Sequence, residues 1–99
     1  MYIHLIKGDT GIGRRASLSN ENGPVDLTDT NEVRFLFDNH VIYPIKEEEK
    51  GKLLLPFNEF HTAKAGVFNA SFKVTFKDGR KETFPGAESP TRLKVYVKE

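Results

Sequence analysis

Gly66-Val67-Phe68-Asn69-Ala70-Ser71-Phe72-Lys73-Val74-Thr75-Phe76-Lys77-Asp78-Gly79-Arg80-Lys81-Glu82-Thr83-Phe84 is the stretch that decides the fold of this chain. Phe68, Ala70, Phe72, Val74 and Phe76 occupy every second position, and Asn69, Ser71, Lys73, Thr75 and Lys77 fill the gaps. Successive side chains leave a strand on opposite faces, so the pattern predicts one long strand with an apolar face and a wet face. Asp78-Gly79 directly after it signals a hairpin. A two-residue loop would set Lys77 against Arg80 and turn Phe84 to the wet face beside Lys73. A three-residue loop, Lys77-Asp78-Gly79 with Gly79 left-handed, pairs Phe76 with Arg80 and Phe72 with Phe84. Burying Phe84 is worth about 1.5–3 kcal/mol, more than the turn preference. A slip of one residue would exchange the two faces of the whole strand. The three-residue loop is therefore expected.

Working outward, the other segments also read as strands. Residues 2–7 carry two interleaved apolar sets, Ile3/Leu5 and Tyr2/His4/Ile6, which predicts a first strand covered on both sides. Gly8 to Gly11 is a turn, and Ile12, Arg14, Ala16 and Leu18 form the alternating set of a second strand. Asn20 to Pro24 reads as a loop. Beyond it Val25 and Leu27 point inwards while Asp26 and Thr28 bond nearby backbone amides. Asp29 with Glu32 has the spacing of a helix capping box, but the alternation of Val33, Phe35 and Phe37 favours a strand. Asp38-Asn39-His40 turns the chain into Val41–Ile45, a strand that Pro44 confines to an edge. Glu47 to Gly51 is a solvated hairpin tip, and Lys52 to Leu55 a short buried strand ended by Pro56. Residues 58–65 hold at most one short helical turn, with Asn58 as N-cap and Gly66 as its stop. Pro85 to Pro90 is a loop, and Leu93, Val95 and Val97 close the chain as a last strand with Arg92, Lys94 and Tyr96 outward. Seven to eight short strands with regular turn signals predict an all-β antiparallel sandwich with immunoglobulin-like or Greek-key connections.

The 99 residues fit one domain, 1–99. Hydrophobic residues make up 37% of the chain, which suits thin β layers with polar outer faces. Fifteen basic and fourteen acidic residues leave a formal charge of +1, too balanced overall for a nucleic-acid footprint, so no nucleic-acid partner is expected. The absence of cysteine excludes disulfides and thiolate metal sites and favours assembly inside a cell. No signal-peptide core or membrane-length apolar run is present, and no membrane partner is expected.

No pattern in the sequence carries catalytic chemistry, and catalytic, cofactor and metal residues are expected to be none. His4, His40 and His61 lie on three separate segments without metal-ligand spacing. Gly8-Asp9-Thr10-Gly11-Ile12-Gly13 lacks the Lys-Ser/Thr of a phosphate loop and the helix that should follow. Ser17 and Ser19 stand on a wet strand face rather than a strained elbow. The Glu47–Glu49 run lacks the alternating oxygen ligands of a calcium loop. Contact surfaces are the remaining lead. One of Arg14 and Arg15 must face inwards or towards an interface, and Tyr2, Tyr43 and Tyr96 are not needed for the core. Arg and Tyr are both enriched in interfaces.

The order of segments resembles the N-terminal domain of phage baseplate upper proteins, found in tail baseplates of phages infecting Gram-positive bacteria. The resemblance lies in Ala16-Ser17-Leu18, Gly23-Pro24-Val25-Asp26-Leu27-Thr28, the Val33–Phe37 strand, Leu53–Leu55, Gly66 to Val74, Asp78-Gly79, Pro85 and Leu93-Lys94-Val95. It spans nearly the whole chain in order. Val67-Phe68 departs from it, since the family more often places an aromatic directly after the glycine. The resemblance implies a non-enzymatic structural module that docks a longer receptor-binding scaffold onto the baseplate core. It implies a virion location after assembly in the host cytoplasm, and baseplate and tail proteins as oligomeric partners. It also implies that residues 1–99 are the N-terminal domain of a longer protein. Carbohydrate-binding and bacterial surface-adhesion sandwiches are the alternative readings.

Overall fold

The alternation of β-prone residues is realised as eleven strands in a computed structural model that describes residues 2–20, 22–86 and 92–99. These are β1 (Tyr2–Ile6), β2 (Ile12–Ser17), β3 (Ser19–Asn20), β4 (Gly23–Pro24), β5 (Thr30–Phe37), β6 (His40–Ile42), β7 (Ile45–Lys46), β8 (Lys52–Phe57), β9 (Gly66–Phe76), β10 (Lys81–Phe84) and β11 (Lys94–Lys98). The count exceeds seven or eight because two-residue ladders such as β3–β4 add strands too short to show an alternation. A large sheet runs β1-β11-β9-β5-β6, with β10 also on β9, and a smaller one runs β2-β8-β7. Apolar faces of the two sheets meet in one core, to which Leu5, Phe35, Phe72, Val74 and Val95 contribute from the large sheet and Leu53, Leu55 and Phe57 from the small one. The fold is an all-β sandwich.

The hairpin has the three-residue loop. Phe76 N–H donates to the Arg80 carbonyl at 2.8 Å and Gly79 N–H to the Phe76 carbonyl at 3.0 Å, with Gly79 at φ 92°. Phe84 therefore stands opposite Phe72, and both are buried. Arg80 reinforces the tip by donating from Nε to Asp78 Oδ2 at 2.6 Å while its guanidinium lies 4.9 Å from the Phe76 ring centre. Phe35 ties the layers together. Its ring lies 4.8 Å from Phe72 within its own sheet and meets Phe57 of the other sheet edge-on at 6.3 Å, geometries worth about 0.5–1.5 kcal/mol beyond burial.

Several expectations are corrected. The first strand is covered on one side only: Ile3 and Leu5 are buried, while Tyr2, His4 and Ile6 are exposed. It also pairs in parallel with β11, so the large sheet is mixed. Residues 58–65 form a capped turn, not a helix. Asn58 Oδ1 accepts from the amides of Phe60 and His61, but Thr62 then anchors the loop by donating from its hydroxyl to the Asp9 carbonyl at 2.6 Å. The helical turn lies instead at Leu27–Asp29, a 3-10 turn whose N-cap Asp26 accepts from the amide and hydroxyl of Thr28. Pro44 splits Val41–Ile45 into β6 and β7, which belong to different sheets. Pro56 does not end β8. Glu47 N–H donates to the Lys52 carbonyl, so even positions of β8 direct their backbone groups at β7, and Pro56 lies beyond the last pair, Ile45–Leu54. Of the Pro85–Pro90 loop, residues 87–90 lie outside the described residues.

Two glycines separate conformational strain from steric exclusion. Gly79 has open space where a Cβ would stand, whereas a Cβ on Gly51 (φ 78°) would lie 2.7 Å from the Leu18 carbonyl oxygen. Gly79→Ala is expected to cost about 1–2 kcal/mol, the penalty of a left-handed alanine, and Gly51→Ala distinctly more. Urea denaturation of both variants checks this, and equal losses would contradict the packing of β3–β4 onto the β7–β8 turn.

Candidate functional site

Of the large exposed apolar side chains among the described residues, Tyr43, Ile45 and Phe60 lie in a link, on the small sheet and in a loop. Strand pleat and sheet order gather the others, Tyr2, Ile6, Val41, Val67 and Tyr96, on the outer face of the large sheet. β1 presents Tyr2, His4 and Ile6 there because Ile3 and Leu5 are committed to the core. The parallel register sets His4 beside Tyr96, and the antiparallel one sets Tyr96 beside Val67 of β9. The His4 ring lies 5.8 Å from both Tyr2 and Tyr96, tilted 26° to the first and 49° to the second. Ile6 is 54% exposed, Tyr2 53% and Val67 50%, so this corner is a true surface and not a half-buried flank. Further along the same face Leu36 and Val41 stand opposite each other on β5 and β6.

Of the five residues expected at an interface, Tyr2 and Tyr96 are brought together and the other three are not. Tyr43, 61% exposed, lies in the link between β6 and β7, at the sheet edge opposite β1. Arg14 stands opposite buried Leu55, so it belongs to the inward face as the alternation required, yet it is exposed. It reaches across the open side of the sandwich and donates from its guanidinium to the His4 carbonyl at 3.3 Å, occupying an edge group of β1. Arg15, on the outer face of the small sheet, pairs with Glu47 at 3.3 Å. His4, Ile6 and Val67 join the patch without having been singled out. Their exposure depends on β1 lying beside β11, a pairing of the two ends of the chain that no local pattern announces.

The remaining clusters hold less. His40 and His61 come together, ring centres 5.2 Å apart, although they lie far apart in sequence. His61 Nδ1 accepts the Asn58 amide at 3.0 Å, which requires an unprotonated nitrogen, and burial together with His40 holds its pKa below the ordinary 6.5. Among the described residues no group of three or more His, Cys, Asp or Glu could hold a metal ion, and no helix is long and apolar enough to cross a membrane. A cleft of about 130 Å³ between the sheets is lined by Ile3, Ala16, Leu18, Phe72 and Phe84, with no convergent charged group. Asp26 and Asp78 have pKa values below the usual carboxylate value because each accepts hydrogen bonds, from Thr28 and from Arg80 respectively. Both are turn-forming groups. No protein-family model, curated protein or solved structure matches this chain.

The His61 geometry has a sign that can be checked. Its folded pKa is depressed, so the unfolded chain takes up the proton first as pH falls. The contribution of neutral His61 is complete above pH 6.5 and is lost as pH drops below it towards the folded value. The urea midpoint is expected to fall between pH 7.5 and 5, and to fall less in His61→Gln. A wild-type midpoint that is flat or rises over this interval would contradict the assignment.

Proposed function

We propose that this chain is a non-enzymatic assembly module that docks through the outer face of its large sheet. The observation that carries the reading is the exposed Tyr2–His4–Tyr96–Val67–Ile6 corner, held on a rigid sheet with Ile3, Leu5, Val95 and Val97 packed behind it. Contiguous exposed apolar groups on a soluble domain mark contact surfaces. Tyr is favoured in the buried centre of interfaces. The Tyr2 and His4 rings lie within 26° of parallel, but Tyr96 is tilted 49° to His4. The three rings therefore do not form one flat platform on which a sugar ring stacks, and a protein partner is the better reading.

The setting we propose is a phage tail baseplate. Its support is the ordered resemblance from Ala16-Ser17-Leu18 to Leu93-Lys94-Val95 to the N-terminal domain of baseplate upper proteins. In that setting the domain anchors a longer receptor-binding scaffold to other baseplate and tail proteins within the virion, as part of an oligomeric assembly.

Immunogold labelling of virions carrying a tagged copy tests the setting. Label at the tail tip is expected, and label confined to capsids or absent from virions would contradict it. The surface itself is tested by Val67→Ser/Tyr96→Ser. This variant is expected to keep its unfolding free energy within about 1 kcal/mol, as exposed positions do, while its incorporation into virions falls at least tenfold. Unchanged incorporation would show that another face docks.

A further inference from the structure

The outer face of the large sheet is also where positive charge collects, although the chain as a whole carries only +1. Register places Arg34, Lys73, Lys81, Lys94 and Lys98 on this face, with Glu32 the one carboxylate among its described strand residues. Lys94 stands opposite Tyr2 and Asn69, and Lys98 opposite Ile6, so these two cations flank the aromatic corner. Lys73 stands directly opposite Arg34 on the neighbouring strand. Like charges so placed are destabilising. Glu32 pairs with Arg34 at 3.0 Å, and none of the four lysines has a carboxylate partner among the described residues. Counter-charges exist in this chain but are sited elsewhere. Glu47, Glu48 and Glu49 lie on the β7–β8 hairpin of the other sheet, and Asp26 and Asp78 serve turns.

We infer that the docking partner on this face is an acidic protein surface, whose carboxylates meet Lys73, Lys81, Lys94 and Lys98 while its apolar side chains cover Val67, Tyr96 and Ile6. The inference rests on the proposed docking role and gives the partner its chemistry. Two observations favour it. The apolar corner is bracketed along β11 by Lys94 and Lys98, with Lys73 and Lys81 further along the same face, so apolar and cationic groups share one surface as they do in protein interfaces. Its uncompensated lysines, including one set against Arg34, cost stability in the free chain, and a partner's carboxylates would offset that cost. Charge complementarity of this kind sets specificity and speeds encounter. Nucleic acid fits less well. The aliphatic Ile6, Val67, Leu36 and Val41 find no counterpart on a sugar–phosphate chain. Moreover Arg34, the one guanidinium among the described strand residues of this face, is ion-paired with Glu32.

The test is fluorescence anisotropy of the purified chain with two labelled probes, a 20-residue poly-glutamate peptide with a Leu at every fifth position and a 20-mer oligo-dT, at 20 and 300 mM NaCl. Tighter binding of the acidic peptide is expected, weakened at least tenfold by 300 mM salt and at least tenfold by Lys73→Glu/Lys94→Glu. The control Lys50→Glu/Lys64→Glu makes the same change in net charge off this face and is expected to weaken binding less than twofold. Circular dichroism at the assay temperature establishes that both variants are folded. Equal losses in the two variants would reduce the effect to net charge and overturn the inference. So would tighter binding of oligo-dT, or binding of neither probe. Salt-sensitive self-association abolished by Glu48→Lys/Glu49→Lys would overturn it too, by making a second copy's hairpin the occupant. Loss of virion incorporation in Val67→Ser/Tyr96→Ser together with failure here removes the acidic partner and leaves the docking role standing. Retention of incorporation removes docking through this face, and the acidic partner with it.

Discussion

β9 is the strand on which the rest of the structure depends, because it is shared by three neighbours. β5 takes one edge along Ala70–Phe76, and the opposite edge is divided between β11 at Gly66–Asn69 and β10 at Phe72–Thr75. The backbone at the changeover stays satisfied, since the Ala70 N–H donates to the Leu93 carbonyl at 3.0 Å. A shift of β9 by one residue would expose Phe72, Val74 and Phe76 together and strip three ladders of their register at once. Burial of its apolar set and pairing of its backbone therefore enforce the same alignment, and Phe35, packed between Phe72 and Phe57, passes that alignment to the second sheet.

The smaller sheet is joined to this frame at both edges by cations from its inward face. Arg14 of β2 reaches the His4 carbonyl, and Lys46 of β7, opposite buried Leu53, donates to the Thr30 carbonyl at 3.4 Å. Charged side chains turned inward at sheet edges guard against edge-to-edge pairing. Arg14 occupies one outward-facing carbonyl of β1 in this way, so the edge is partly closed and the flat outer face is left as the surface open to a partner. The constraint that completes the core thus also delivers the face: each residue of β1, β9 and β11 that is not needed inside stands outside, in rows set by the ladder.

What the sequence made legible follows from the range of each interaction. The hairpin register was readable because turn residues and the Phe72–Phe84 pair lie within one local segment. The one-sided character of β5, β9 and β11 was readable because a period of two needs no tertiary information. The reading failed where distant segments decide. The second apolar set of β1 looks like a buried face until β11 is placed beside it and Tyr2, His4 and Ile6 are seen to be exposed among the described residues. Residues 58–65 have a cap and a stop but lack the length to sustain a helix, and Thr62 ties them to Asp9 instead. Arg14 and Arg15 were divisible by parity, although only the edge position of β2 explains why the inward one reaches a backbone carbonyl. Tyr2, Tyr43 and Tyr96 could be set outside the core from the sequence, but not which two of them would meet. The lysines beside them escaped notice because a net charge near zero conceals a segregation visible only once the strands are ordered.

Native-state amide hydrogen exchange tests the dependence on β9 most directly. The amides of Ala70, Phe72, Val74 and Phe76 are expected to exchange only through global unfolding, with the highest protection in the chain, matched by their partners in β5 and exceeding β2, β7 and β8. Exchange of these amides at lower free energy than those of the β2–β8 ladder would contradict the account, because the small sheet would then outlast the strand said to hold it in place.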